Sequence, residues 1–126
     1  MAKSAKLATE AKVLSPSDIN PTSAADYLQR GWLFLSSKNP DKALADFDTA
    51  IQQNPENPDA YYALALALKA LGKNSEAVEK FNKVLSLIGD STNQSTRQML
   101  TRLTHGHINQ INSGDWNLEK EIWQRR

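Results

Sequence analysis

Apolar positions in this chain recur at helical spacing, and then the whole block recurs. Tyr27, Ala43 and Phe47 reappear as Tyr61, Ala77 and Phe81, each 34 residues on. A fixed step of that size, carrying aromatic and small residues at matched offsets, is how a stacked helix-turn-helix unit looks in sequence. Residues 24–57 and 58–91 form the two copies, and each predicts a pair of helices. Thr22 or Ser23 can cap a first helix running to about Ser37. Asn39-Pro40-Asp41 opens a second with a capping side chain, a preset backbone angle and a charge suited to the helix dipole. Asn54-Pro55 ends it, and Asn57-Pro58-Asp59 opens a third. Gly72 closes the third, and Asn74 or Ser75 with Glu76 starts a fourth that runs to about Ile88.

Small residues stand where two helices must approach closely: Gly31, Ala43, Ala50, Ala65 and Ala77. Tyr27, Phe34, Phe47, Tyr61, Leu68 and Phe81 supply the bulk between them, so these positions read as packing and not as a site. Beyond Ser91 the repeat fades while helical periodicity persists. Met99, Leu100, Leu103, Ile108 and Ile111 form a stripe on a helix of about 94–112, interrupted by Gly106. Gly114-Asp115 then separates a last segment in which Leu118 and Ile122 can face inward beside Trp116 or Trp123. Residues 92–126 are therefore expected to form a divergent helical pair that caps the stack, because a stack's end exposes an apolar face. Ahead of the copies, residues 1–23 form a tail. Leu7, Ala11 and Leu14 give it a possible short amphipathic helix, which Ser15-Pro16-Ser17-Asp18 and Asn20-Pro21 break.

The residues of the copies can be set against a known signature. The first copy carries Tyr27, Arg30-Gly31, Phe34, then Ala43-x3-Phe47, Ala50 and Pro55. The second carries Tyr61, Leu64-Ala65, Leu68, then Ala77-x3-Phe81, Val84 and Gly89. Both resemble the tetratricopeptide repeat, with its aromatic, Leu-Gly and Tyr on the first helix, then Ala-x3-Phe and a closing Pro. Arg30 stands where Leu is usual, and is expected to lay its stem on the apolar seam with its head in water. Gly89 replaces the Pro and predicts a left-handed cap. The resemblance implies an all-α, right-handed solenoid of antiparallel helix pairs.

It also implies a concave groove that takes an extended or helical peptide, lined by Leu28, Trp32 and Leu35 from the first copy and by Tyr62, Leu66 and Lys69 from the second. Leu28, Trp32 and Leu35 share one stripe, distinct from that of Tyr27, Gly31 and Phe34. A helix apolar on both stripes needs a cover on both sides. Members that grip the acidic carboxyl-terminal tails of heat-shock chaperones carry Lys and Asn on the first helix, Asn on the third, and Lys and Arg on the fifth. The matching positions here are Leu28, Trp32, Ala63, Asn93 and Arg97, so only the Arg is kept and the resemblance argues against such tails as partners. An apolar or amphipathic protein segment suits the groove better. It could come from another protein or from residues 1–14 of this chain. The alternative is a self-associating unit, its groove filled by its own amino-terminal segment and its homodimer made through Trp116, Ile122 and Trp123.

Charge and chemistry narrow the function. With 126 residues, 15 Lys and Arg, and 14 Asp and Glu, the net charge is +1, which gives no electrostatic case for nucleic acid. Lys69, Lys73, Lys80, Lys83, Arg97 and Arg102 read as solvated helix faces. No apolar run approaches a membrane span or a secretory signal, and no cysteine offers a disulfide, a thiolate ligand or a nucleophile. A soluble protein of a reducing compartment, the cytoplasm, is expected. The two histidines, His105 and His107, point about 200° apart on a helix and cannot pair on one face. Asp46 and Asp48 fail as paired carboxylates for the same reason. With no phosphate loop or nucleophile motif either, neither an enzyme nor a cofactor or metal is expected.

Overall fold

Residues 15–88 and 94–116 are described by the computed structural model, and they are helical throughout apart from short turns. A single 3-10 turn, Pro16–Asp18, leads into α1 (Ala24–Ser36), α2 (Pro40–Gln53), α3 (Pro58–Ala70), α4 (Asn74–Ile88) and α5 (Gln94–Ser113). The possible amino-terminal helix, the Gly89 cap, Asn93, Ile122 and Trp123 lie outside the described residues.

Local chemistry sets the starts of these helices. Ser23 Oγ accepts from the Asp26 N–H at 3.3 Å, and the Asp26 carboxylate accepts from the backbone N–H and hydroxyl of Thr22 at 3.1 Å each. Those bonds, the backbone one foremost, hold the Asp26 carboxyl below its ordinary pKa. Asn57 Oδ1 accepts from the Asp59 N–H at 3.0 Å. Asn39 departs from expectation. It makes no side-chain cap to α2, and its Nδ2 instead donates to the Ser37 carbonyl at 3.4 Å. The reason lies one residue earlier, where Lys38 sits in left-handed backbone at φ 66°. The Asn39 N–H reaches back to the Phe34 carbonyl at 2.8 Å and the Lys38 N–H to Leu35 at 3.1 Å, closing α1 with a Schellman cap. Gly72, at φ 79°, does the same for α3, with Lys73 N–H to Leu68 at 2.9 Å.

α1 packs against α2, α3 against α4, and α2 against α3, so the two helical hairpins stack and α5 lies against α4. The core runs through Ala43, Phe47, Ala63, Leu64, Ala65, Ala67, Leu68, Ala77 and Phe81. Val84, Ile88 and Leu100 continue it toward α5. Phe47 and Phe81 have no solvent exposure, and truncating either to Ala would cost about 3–5 kcal/mol. Gly31 lets Phe47 press onto the α1 backbone, since a Cβ there would overlap the ring. Two further expectations are corrected. α5 runs unbroken through Gly106, and Met99 is 56% exposed instead of facing inward. Leu100, Thr104, Ile108 and Ile111 hold the inner side, because spacing by four, four and three keeps them on one stripe that Met99 misses.

Candidate functional site

The three α1 positions expected to line a groove, Leu28, Trp32 and Leu35, share one stripe, as their spacing requires. Leu28 and Leu35 are half-buried and pack on the core, while Trp32 is 37% exposed. The Trp32 ring meets Phe47 edge-on, with centroids 5.7 Å apart and planes at 67°. The indole is thus anchored on one edge and open to solvent on the other.

The α3 half is built differently. Tyr62 and Leu66 pack on the same core, yet Tyr62 and Lys69 also bond to α5. Lys69 Nζ donates to His107 Nδ1 at 2.9 Å and also to Gln110 Oε1. His107 Nε2 lies 3.1 Å from the Tyr62 hydroxyl. The imidazole stacks on Phe81 at 5.2 Å with planes 3° apart and meets Trp116 edge-on at 4.7 Å. Burial, and secondarily the Lys69 charge, lower the His107 pKa to about 4, so the ring is neutral at pH 7. With Nδ1 accepting from the ammonium, Nε2 carries the proton and donates to the Tyr62 oxygen. Burial also lowers the Lys69 pKa and raises that of Tyr62. Low polarity thus favours the neutral form of all three groups.

Trp116 belongs to the capping segment, and in the self-associating alternative to the dimer face. Here it is half-buried against its own chain: Gly114, at φ 85°, turns the backbone, Asn109 Nδ2 donates to the Trp116 carbonyl at 3.0 Å, and the indole covers Gly106. A Cβ at Gly106 would overlap that ring, just as one at Gly31 would overlap Phe47.

Arg30 corrects a second expectation. Its head group is bound by a carboxylate instead of standing free in water, although the side chain keeps 28% exposure. Nε and an Nη each donate to Asp46 at 2.8 Å, with the guanidinium centre 5.7 Å from the Tyr27 ring and 5.8 Å from Phe34. Asp46 is 4% exposed, so this is a bidentate pair at the α1–α2 seam. Sequence reasoning missed both this pair and the His107–Lys69–Tyr62 cluster. The signal available was slight: Asp46 sits on the apolar side of α2, and His107 and Gln110 are three apart on one side of α5.

Among the described residues no three metal-ligating side chains gather, and no helix is long and apolar enough to cross a membrane.

The two helical hairpins, stacked through α2 and α3, match a known family: the tetratricopeptide repeat model matches residues 28–93, a little over half of the 126-residue chain. The chain belongs to the tetratricopeptide repeat family. A tetratricopeptide repeat and J domain-containing co-chaperone of Fusarium oxysporum is 35% identical over 121 residues, 95% of this chain and 22% of that protein. A small glutamine-rich tetratricopeptide repeat-containing protein of Saccharomyces cerevisiae is 35% identical over 78 residues, 62% of this chain and 22% of its own length. A DnaJ homolog, subfamily C member 3, of mouse is 32% identical over 82 residues, 65% of this chain and 15% of its own. This tetratricopeptide chain thus spans about a fifth of the length of these curated relatives. No solved structure gives a significant match.

Proposed function

We propose that this tetratricopeptide chain is a non-catalytic interaction module that binds an apolar or amphipathic helix of another protein in its concave groove. The observation that carries this reading is the stripe of Leu28, Trp32 and Leu35, where a large indole stands 37% exposed on an otherwise half-buried apolar floor. Exposed aromatic residues set in an apolar patch are frequent anchors of protein interfaces. The helix-in-groove mode suits such a floor, because a partner's own apolar stripe replaces the missing cover. One relative named as a co-chaperone and another named as a DnaJ homolog support a role in handling other proteins. Leu28 and Trp32 at two positions of the tail-gripping signature support an apolar partner over an acidic chain end.

Selection from a random peptide library on the 126-residue chain, with Trp32→Ala as the counter-target, tests the reading. Amphipathic apolar sequences should be enriched and should bind Trp32→Ala at least about tenfold more weakly, the scale of a buried anchor residue. The variant should melt close to the parent. Equal binding to both proteins, or enrichment of acidic chain ends, would sink the proposal. Light scattering distinguishes the self-associating alternative, which requires a dimer mass.

A further inference from the structure

The α3 half of the groove is already covered by this chain. α5 has 20 residues where α1 and α3 have 13 each, and its surplus, residues 107–113, amounts to about two turns. Those turns carry His107 and Gln110, which bond to Tyr62 and Lys69, and Ile108 and Ile111, which pack on the same core cluster as Leu66.

Resting on the groove reading above, we propose that the last two turns of α5 are an internal occupant of the α3 half of the groove. A partner that reaches Tyr62, Leu66 and Lys69 displaces them with a segment that is apolar and offers Lys69 a negative group.

Two features make α5 separable from the rest. First, it is weakly held. It buries Leu100, Thr104 and Gly106, against six residues in α3, and the Thr104 hydroxyl is fully buried without a hydrogen-bond partner among the described residues. An unsatisfied buried hydroxyl costs stability, and elements held by few apolar contacts open first. Second, its polar contacts are improvable. α5 contains no acidic residue, and among the described residues the partly desolvated Lys69 ammonium bonds to a neutral imidazole and a neutral amide. A carboxylate or sulfonate bonds an ammonium more strongly than either. Lys69 is the charged group facing His107 from α3, Tyr62 its hydrogen-bond partner there, and Phe81 and Trp116 its neighbours from α4 and the chain beyond α5.

Hydrogen exchange on the full chain tests this without a partner, so its outcome is independent of whether a peptide is ever found. His107→Ala, and the milder Gln110→Ala, should speed amide exchange across residues 104–113 by about tenfold or more while α1 to α4 keep their protection. Anilinonaphthalene sulfonate, which joins an aromatic body to a negative group, should bind His107→Ala more tightly than the parent. Adding Lys69→Met to that variant should remove the gain. Unchanged exchange in α5 for both variants would overturn the proposal, since the bonds would then hold nothing. Loss of protection spread through α4 and α3 would overturn it too, because α5 would then be part of the cooperative core.

Discussion

Arg30 and Asp46 in the first helix pair correspond to Leu64 and Lys80 in the second, 34 residues on in both cases. Where the first pair is joined by a bidentate ion pair at its seam, the second has a leucine 4% exposed in the core. The helices differ in burial too: α1 buries Gly31 alone, whereas α3 buries Ala60, Ala63, Leu64, Ala65, Ala67 and Leu68. α3 is enclosed by α2 and α4 and touched by α5, while α1 has α2 along one side and only slight contact with α3. In a stacked fold the repeat dictates a helix pair, and the neighbours dictate how much of it leaves water. A position on the helix less enclosed by the described elements can carry a guanidinium whose edge reaches solvent, and the equivalent enclosed position cannot do so cheaply.

The sharpest way to break this comparison is to strand the buried charge. Arg30→Met leaves Asp46 unpaired at 4% exposure and should cost about 3–5 kcal/mol, read by urea unfolding. The double variant Arg30→Leu with Asp46→Lys copies the second repeat into the first and should recover to within about 1 kcal/mol of the parent, because no uncompensated charge remains. If the double variant is as unstable as the single, the two seams are not interchangeable.

Next in size is Gly31, opposite Ala65 in the second repeat. Gly31→Ala places a methyl into the Phe47 ring and should cost about 1–3 kcal/mol, despite the better helix propensity of Ala. A neutral or stabilising result would mean that the Phe47 ring can shift to make room for the methyl. Smaller and opposite in sign is Lys38→Gly, which makes the α1 cap like that of α3. Removing a non-glycine residue from φ 66° should stabilise by about 1 kcal/mol, raising the melting temperature. A drop would show that the Lys38 side chain contributes more than its backbone costs.

The last effect is confined to acid pH. Because the folded His107 pKa, about 4, lies below the unfolded value near 6.5, the unfolded chain takes up the proton first. Stability from the neutral ring is present above about pH 6.5, falls as pH drops toward 4, and levels below it. His107→Gln should flatten that window. An unaltered slope between pH 6.5 and 4 in the variant would assign the loss to other groups.

Much of the fold was legible in the residues themselves. Pro40, Pro58 and Gly72 mark helix ends through backbone geometry that any context must respect, and the Ala43–Phe47 and Ala77–Phe81 spacings mark the packed seam. The apolar stripe of Leu28, Trp32 and Leu35 was legible for the same reason, being a matter of spacing on one helix. What each stripe touches was not. Asp46 carries the same side chain whether it faces water or Arg30, and only the approach of α1 and α2 brings the two within 2.8 Å. His107 reads as an unremarkable polar residue on α5 until Lys69, 38 positions earlier, and Phe81 are set against it. The sequence by itself determined the period, the helices and their inward faces, since these follow from local dihedral preferences and the 3.6-residue turn. The tertiary structure decided that Trp32 stays exposed while Tyr62 and Lys69 are bonded to α5, because that depends on where α5 comes to rest. Contacts between residues far apart in the chain are fixed by packing, which no local pattern encodes.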